Sequence, residues 1–341
     1  MDGCKTPPRA IPKHLKPIVG ELTTPLRIPA TPQLQKLGFG TGVEVLRVKR
    51  SPRPGHLRSP WAIKRLNKQC DGTHAPLYNQ RLMEEASILR KLDHPNIVGF
   101  RNMLKDKHGQ LCLAMEDGHQ SLGDLLETRS EEDLGPLEAS KTIKVCKDIA
   151  NALNYLHTSM KLLHGDLKSF NILIKGNFDV CKLCDFGVSQ PLDEHGYLDL
   201  KNHPDARYIG TDLWSAPEVL KYDQSIVGAK SEMFSYGLII YEMVALNPPH
   251  IGGANFDTTA DNESVISIKD DSVISVKDSD DETEKTMEKS ITALFGTRPP
   301  LPDFLFSDDY NNILGLFFLC TNQEPDERPS AKECVRYFEK C

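Results

Sequence analysis

The chain has 341 residues, of which 39% are hydrophobic, and its formal net charge at pH 7 is −7. Since one hydrophobic core serves roughly 150 residues, this length predicts two lobes or domains. The acidic balance argues against a surface for nucleic acid or for an anionic membrane. The longest apolar run, residues 313–320, is far shorter than the roughly 18 residues that span a bilayer.

The first 32 residues differ from the rest of the chain. They lack the apolar core of a signal peptide, so the chain is expected in the cytoplasm, the nucleus or both, with its nine cysteines reduced. They hold seven prolines and show no apolar periodicity. Residues 1–32 are therefore predicted to be a disordered tail.

The pattern that follows predicts a small β-rich lobe over residues 33–115. Alternating apolar residues around closely spaced glycines at 37–48 indicate a strand, a tight turn and a second strand. The other predicted elements of this lobe are a strand at 60–64, a helix with Leu82, Ala86, Leu89 and Leu92 on one face, and strands at 97–100 and 111–115.

After a short break at 116–118 the periodicity becomes helical, which predicts a larger second lobe over residues 119–341. Its clearest helix is expected at 139–158 and its last helix at 331–338. A low-complexity segment at 251–290 carries eleven acidic residues and four lysines. Its formal charge of −7 equals the net charge of the whole chain. Two similar eight-residue copies inside it are too few for a repeat fold, so a polar insertion in a surface loop is predicted.

Two features of the first lobe are typical of phosphate binding, although neither is specific alone. Gly38, Gly40 and Gly42 form a turn between two strands, unlike the strand-to-helix turn of a dinucleotide-binding motif. Lys64 ends the next apolar strand. On an outward face this lysine would be an ordinary edge residue, whereas beneath the glycine turn it would reach phosphates.

A set of motifs in a fixed order is more specific. Asp166 and Asn171 lie five residues apart in a loop before a predicted strand, and Asp185-Phe186-Gly187 follows the next strand. Gly210-Thr211 and Ala216-Pro217-Glu218 come after them. In this order and spacing the chain resembles the eukaryotic protein kinases over residues 33–340. Closer resemblance, to mitotic Ser/Thr kinases related to the MAP kinase kinases, is carried by residues 35–43, 59–62, 94–99, 111–116 and 294–300.

The resemblance implies an α+β, bilobal kinase fold with a small β-rich N-lobe and a larger α-helical C-lobe. It also implies ATP and Mg²⁺ as cofactors and protein substrates phosphorylated on Ser or Thr, with MAP kinases as candidate substrates and dual specificity as an option. Phosphoryl transfer develops charge on the phosphate oxygens, so the site needs cations and a group that orients the attacking hydroxyl.

By the same resemblance, Asp166 accepts or orients the proton of the substrate hydroxyl, and Lys168 steadies the γ-phosphate. Lys64 contacts the α- and β-phosphates. Glu85 on the predicted helix keeps this lysine charged and in place, because an opposite charge favours the charged form. The adjacent Glu84 faces a different direction of the helix and is the weaker candidate for this partner.

The cofactor site is implied in the same way. Asn171 and Asp185 supply the hard oxygen ligands that suit Mg²⁺. Met115 precedes the hinge at 116–118, as a gatekeeper beside the adenine or as an ordinary core methionine. The residues expected to contact the nucleotide are Leu37, Gly38, Phe39, Gly40, Thr41, Gly42, Val45, Ala62, Lys64, Met115, Glu116 and Gly118.

Three residues depart from the kinase pattern. Val43 stands where the third glycine of the turn is usual, and Glu232 stands where an aspartate usually anchors the catalytic loop. Gly165 replaces the arginine that senses phosphate on the activation loop. We therefore predict a weaker dependence of activity on phosphorylation of that loop, which includes Tyr208 and Thr211 near the substrate.

Two other functions are weighed against catalysis. The first is a pseudokinase scaffold that binds signalling partners, although the lysine, the two aspartates and the asparagine that catalysis requires are all present. The second is a metal-binding regulator that uses Cys181 and Cys184. A zinc site needs two more ligands, and alternation along a strand places these cysteines on opposite faces, which favours buried thiols.

The tail offers sites for an upstream kinase. Thr6 and Thr24 each precede a proline and, two residues further, a basic residue, which is typical of a cyclin-dependent kinase substrate. The resemblance to mitotic kinases strengthens this expectation. The chain ends in Glu-Lys-Cys rather than in the Ser/Thr-x-Val of a PDZ ligand, so binding to PDZ domains is not expected from this sequence.

Overall fold

The computed structural model describes residues 33–39, 43–49, 61–66, 75–106, 109–221, 224–251 and 292–339. Three predicted features lie outside these ranges. They are the tail at 1–32 with Thr6 and Thr24, the turn residues Gly40, Thr41 and Gly42, and the acidic insertion beyond Ile251.

An antiparallel sheet of five strands, in the order β1-β2-β3-β5-β4, forms the small lobe. Its strands are β1 (Gln33–Phe39), β2 (Val43–Lys49), β3 (Trp61–Leu66), β4 (Phe100–Lys105) and β5 (Leu111–Glu116). Helix α1, Ala75–Leu89, packs on this sheet and buries Leu82, Ala86 and Leu89, the face predicted from its periodicity. The predicted order of strand, strand, strand and helix is thus confirmed, while the predicted turn between the first two strands lies outside the described residues.

The strand predicted at 97–100 is wrong. Ile97 makes a single parallel bridge to Leu183 of the second lobe, and the N–H of Val98 donates to the Leu183 carbonyl at 2.9 Å. The strand β4 begins only at Phe100. This apolar run is buried because it joins the two lobes, and periodicity alone cannot distinguish that position from the interior of a sheet.

The second lobe contains six α-helices within its described part. They are α2 (Leu122–Glu131), α3 (Ala139–Asn154), α4 (Pro217–Leu220), α5 (Ala229–Ala245), α6 (Asn311–Cys320) and α7 (Ala331–Glu339). The helix predicted at 139–158 is α3 followed by a π-helical turn, Tyr155–Met160. The predicted last helix is confirmed as α7.

Short strands position the loops that face the small lobe. They are β6 (Gln120–Ser121), β7 (Leu162–Leu163), β8 (Ile172–Lys175), β9 (Val180–Leu183) and β10 (Gln190–Pro191). β6, β8 and β9 form one sheet, and β7 pairs with β10. The loop at 164–171 therefore lies between β7 and β8, and Asp185 follows the end of β9.

The helix α5 is the centre of the larger lobe, because every residue from Ser231 to Val244 is buried. A Cβ on Gly237 would lie 2.7 Å from Cγ2 of Thr321, so only glycine permits this close approach to the end of α6. Among the described residues no helix combines the length and hydrophobicity that crossing a membrane requires. The small β-rich lobe and larger helical lobe confirm the predicted fold class.

Candidate active site

Lys64 lies between two carboxylates at the junction of the lobes. Its Nζ is 3.0 Å from Glu85 Oε2 on α1 and 2.8 Å from Asp185 Oδ1 after β9. Lys64 and Glu85 are buried, whereas the side chain of Asp185 is 43% exposed. The lysine therefore faces inward, and a carboxylate beside it remains accessible to a ligand.

Burial and charge together set the pKa values of these three groups. Burial alone would lower the pKa of Lys64, but the charges of Asp185 and Glu85 outweigh it and raise that pKa. Burial raises the pKa of Glu85 to about 7 against the opposing charge of Lys64. Burial would likewise raise the pKa of Asp185, yet Lys64 holds it at about 2. Lys64 is thus a cation and Asp185 an anion at neutral pH.

Asp166 is the centre of a hydrogen-bond network formed by residues that the motifs had singled out. Its Oδ1 accepts from Thr211 Oγ1 at 2.6 Å, and its Oδ2 lies 3.1 Å from Lys168 Nζ and 3.0 Å from Asn171 Nδ2. Lys168 also donates to Thr211 Oγ1 at 3.1 Å. From the described residues Oδ1 accepts one hydrogen bond, so it keeps capacity for a substrate hydroxyl.

Two oxygen donors suitable for a divalent cation flank this network. Asn171 uses its amide nitrogen to bind the carbonyl and Oδ2 of Asp166, which leaves its amide oxygen free of donors among the described residues. Asp185 binds Lys64 and the N–H of Gly187 through Oδ1 alone, so its Oδ2 is likewise free of described donors. A carboxylate and an amide oxygen fit the preference of Mg²⁺ for hard ligands.

Glu232, which replaces the usual aspartate, reaches the catalytic loop despite its longer side chain. Its Oε1 accepts from the N–H of Gly165 at 2.6 Å, and its Oε2 lies 2.7 Å from His157 Nε2. Glu232 is fully buried on α5. His164, beside Gly165, contacts the ring of Phe186 edge-on at 4.9 Å. The loop that carries Asp166 is therefore held by buried residues of the larger lobe.

The pairing of β3 with β5 places the predicted nucleotide residues. Ala62 lies opposite Met115, and since paired residues share a face, both project with Lys64 toward the cleft. Met115 is also buried in the hydrophobic core, so it can be a core methionine and still lie beside the adenine as a gatekeeper. Val45 on β2 lies opposite Lys64, and the backbone of Leu37, Gly38 and Phe39 continues along β1.

The hinge residues contribute in different ways. The side chain of Glu116 lies away from the cleft, paired with Lys175 and, at 3.0 Å, with Lys182. Only the backbone of Glu116 is thus available to a nucleotide, whereas the sequence analysis expected a contact without distinguishing backbone from side chain. A Cβ on Gly118 would lie 2.6 Å from Leu173 Cβ on β8, so glycine lets the hinge lie directly on the larger lobe.

Residues 32–338 match the family described as protein kinase domain. The chain belongs to this family. Human lymphokine-activated killer T-cell-originated protein kinase is 43% identical over 318 residues, which is 93% of this chain and 92% of that protein. The serine/threonine-protein kinase CTR1 of Arabidopsis thaliana is 32% identical over 189 residues, 55% of this chain and 21% of that protein. The probable serine/threonine-protein kinase drkC of Dictyostelium discoideum is 28% identical over 259 residues, 76% of this chain and 29% of that protein.

These relatives confirm both the kinase resemblance and the Ser/Thr assignment, so the chain is a serine/threonine protein kinase. The metal-regulator hypothesis has no comparable support. Cys181 is buried and Cys184 half-buried, and no group of three or more His, Cys, Asp or Glu in the described part of the chain is arranged to hold a metal.

Tyr208 of this kinase is a core residue. Its side chain is 6% exposed, it hydrogen-bonds Ser235, and burial raises its pKa well above the usual value. A Cβ on Gly210 would lie 2.7 Å from its ring, so the loop packs tightly against it. The sequence placed Tyr208 in the activation loop but gave no signal of this burial, and the structure does not present its hydroxyl to solvent.

The sequence did not single out Glu242, which joins the catalytic loop to the segment after Thr211. Its Oε1 accepts from Ser169 Oγ at 2.6 Å and its Oε2 from Trp214 Nε1 at 2.7 Å. Burial raises the pKa of Glu242 to about 7, against these hydrogen bonds. The sequence did contain a signal, because Glu242 stands among apolar residues in the C-terminal half of α5. A buried carboxyl needs polar partners, so a glutamate in such a segment indicates a buried hydrogen-bond site.

Replacing Glu242 with glutamine is expected to flatten the pH dependence of stability. Because the folded-state pKa lies above the ordinary 4.5, this carboxyl stabilises the fold fully below pH 4.5 and loses that contribution as the pH rises through about 7. The unfolding free energy of the wild type, relative to Glu242→Gln, should fall by roughly 2 kcal/mol from about pH 5 to about pH 8. Urea denaturation at both pH values measures this difference.

The exposed Glu84→Gln variant is the control, since it removes a carboxyl from a solvent-facing position of α1. It should follow the wild type at both pH values. A Glu242→Gln protein whose stability changes with pH as much as that of the wild type would contradict the prediction.

Proposed function

We propose that this kinase transfers the γ-phosphate of Mg²⁺-bound ATP to Ser or Thr of protein substrates in mitotic or MAP kinase signalling. The observation that carries the proposal is the meeting of Lys64, its two carboxylates and the Asp166 network at one cleft. A cation, two free oxygen ligands and a carboxylate beside a hydroxyl-bearing loop are what phosphoryl transfer requires.

The chain's own residues divide the reaction between them. As the substrate hydroxyl attacks the γ-phosphorus, a bond forms to the hydroxyl oxygen and the bond to the β,γ-bridging oxygen breaks. Asp166 takes the hydroxyl proton, while Lys168, 3.1 Å from it, offers positive charge to the transferred group. Lys64 binds the remaining phosphates. Asn171 and Asp185 would hold Mg²⁺, which supplies further neutralisation of phosphate charge when bound.

The signalling context is proposed from similarity rather than from geometry. The mitotic and MAP kinase role, with MAP kinases as the proposed substrates, rests on the resemblance of the segments named above to mitotic kinases related to the MAP kinase kinases. Thr6 and Thr24 are proposed targets of a cyclin-dependent kinase, and the cytoplasm, the nucleus or both are the proposed location. Mass spectrometry of the kinase from mitotic cells should find Thr6 and Thr24 phosphorylated, and unmodified peptides at both would remove this part of the proposal.

A peptide array incubated with γ-labelled ATP tests the activity and the substrate class together. The full chain is compared with Asp166→Asn, which keeps the side-chain size but lacks a proton acceptor of carboxylate strength. Label on Ser or Thr peptides with the wild type, and none above background with Asp166→Asn, is expected. Equal signals from both proteins would favour the scaffold hypothesis.

A further inference from the structure

Arg47 lies on the cleft face of the small lobe, although no kinase motif singles it out. β2 pairs with β3 so that Val45 lies opposite Lys64 and Arg47 lies opposite Ala62. Directly paired residues project from the same face of a sheet. The Arg47 side chain therefore starts from the face that carries Lys64, beside the residues expected to contact the nucleotide.

From this position Arg47 makes three contacts with the hinge segment. Its Nε donates to Asp117 Oδ2 at 2.6 Å, and its Nη2 donates to the carbonyls of Gly118 at 2.7 Å and His119 at 2.6 Å. Each of these partners is about 70 residues away along the chain. One guanidinium thus joins the sheet of the small lobe to two hinge residues and to His119, which directly follows them, a geometry that a planar fork of donors suits.

The acid in this contact depends on Arg47. The side chain of Asp117 is 3% exposed, and Arg47 at Oδ2 is its hydrogen-bond partner, since Oδ1 is buried without a partner in the described structure. Burial raises the pKa of Asp117 despite the opposing charge of Arg47. Removing the arginine would therefore leave a buried carboxyl uncompensated, and the hinge would have to move to hydrate it.

Contacts from the larger lobe hold the same segment on its other side. Glu116 is bound to Lys175 and Lys182 of β8 and β9, and Gly118 lies against Leu173 of β8. Consecutive acidic residues of the hinge are therefore bound to opposite lobes. The hinge therefore sets the distance between the two lobes, and Arg47 is the residue of the small lobe that binds it.

We propose that Arg47 is a positioning residue that determines nucleotide affinity, by fixing the sheet of the small lobe to the hinge through Asp117, Gly118 and His119. The inference rests on the proposed binding of ATP at this cleft. Arg47 makes none of the described contacts of the Asp166 network, so its effect is expected on binding of the nucleotide and not on the transfer step.

Steady-state kinetics and ADP titration calorimetry on the full chain test the proposal. Arg47→Leu is expected to raise the KM for ATP and the Kd for ADP about tenfold, while kcat stays within about twofold. Arg47→Lys should recover only part of the affinity, because a lysine retains the charge that Asp117 requires but lacks the planar fork of donors that reaches three acceptors. Asp117→Asn should weaken binding less than Arg47→Leu, and adding Asp117→Asn to Arg47→Leu should cost little more.

Arg65→Leu is the matched control, because Arg65 pairs with Glu44 at 2.8 Å across the same two strands. The Glu44–Arg65 pair is three positions along from the Arg47–Ala62 pair and hence on the opposite face of the sheet. It should leave the KM for ATP within about twofold. An equal rise in both arginine variants, an unchanged KM in Arg47→Leu, or a fall in kcat alone would overturn the inference. If Arg47→Leu fails to fold, the KM for ATP and the Kd for ADP of Asp117→Asn are compared with those of Arg65→Leu, and equal values in the two variants would overturn the inference. A wild type that binds no ADP would instead refute the proposed function.

Discussion

A kinase with arginine restored at position 165 is expected to lose activity and stability. Gly165 has φ of +87°, and a Cβ there would lie 2.4 Å from the carbonyl oxygen of Val188. The left-handed backbone costs a residue with a side chain roughly 1–3 kcal/mol, and the contact with Val188 forces the loop to move. Because Asp166 follows directly, a shift of about 1 Å should lower kcat about 10²-fold. Peptide phosphorylation and thermal unfolding measure both effects.

Alanine variants separate the clash from the backbone strain. Gly165→Ala should behave almost as badly as Gly165→Arg, since its Cβ already meets the Val188 carbonyl. Gly196→Ala is the control, because Gly196 has the same φ of +87° but its nearest heavy atom would lie 3.9 Å away. It should lose only about 1–2 kcal/mol of stability and keep kcat within about twofold. An active Gly165→Arg kinase would contradict the argument.

The same geometry bears on regulation. The arginine that usually precedes the catalytic aspartate cannot be accommodated in this loop conformation, and Glu232 binds the Gly165 backbone instead. The burial of Tyr208 removes a candidate phosphorylation site of the activation loop from the surface. Both observations support, without testing it, the prediction that activity depends weakly on phosphorylation of the activation loop.

The sequence was most informative where one residue type has one chemical use at a given position. The motifs around Asp166 and Asp185 and the periodicity of α1 and α3 identified the fold and most of the candidate site. Each of those signals is local, since it depends on spacing within a few turns or one strand. The expectation that Asp166 and Asp185 lie close together in space came from the resemblance to the protein kinases, in which these motifs occur in the same order.

Where the structure added residues, the partners are distant and the local pattern is ordinary. Arg47 follows the simple alternation of a strand, yet its partners at 117–119 lie about 70 residues away. Glu242 is one glutamate in a buried helix and binds side chains 73 and 28 residues away. The strand wrongly predicted at 97–100 has the same origin, because the partner of Ile97 is Leu183. Spacing within one segment carries no information about such contacts.

Removing Arg328 is expected to cause the largest loss of stability among single substitutions in the larger lobe. Its Nη1 and Nη2 bind the two oxygens of Glu218 at 2.6 and 2.9 Å, with both side chains buried. Its guanidinium also donates to three backbone carbonyls and lies 5.0 Å from the ring centre of Phe234. Arg328→Met should lower the unfolding free energy by about 3–5 kcal/mol, because Glu218 then remains as an uncompensated buried charge.

Urea denaturation of single and double variants can separate the loss of the Arg328–Glu218 attraction from the cost of leaving the Glu218 carboxylate buried without a partner. Arg328→Met combined with Glu218→Leu should recover at least half of the loss, since a buried ion pair replaced as a whole costs far less than one broken. Arg298→Met is the control, because Arg298 binds Thr321 and lies over Phe318 at the surface without a carboxylate partner among the described residues, and a loss of about 1 kcal/mol is expected. Glu218 lies in the first turn of α4, just after the segment that carries Thr211, so kcat should fall with stability in Arg328→Met and recover in the double variant. A loss in Arg328→Met no larger than that in Arg298→Met would show that the buried pair does not hold this segment in place.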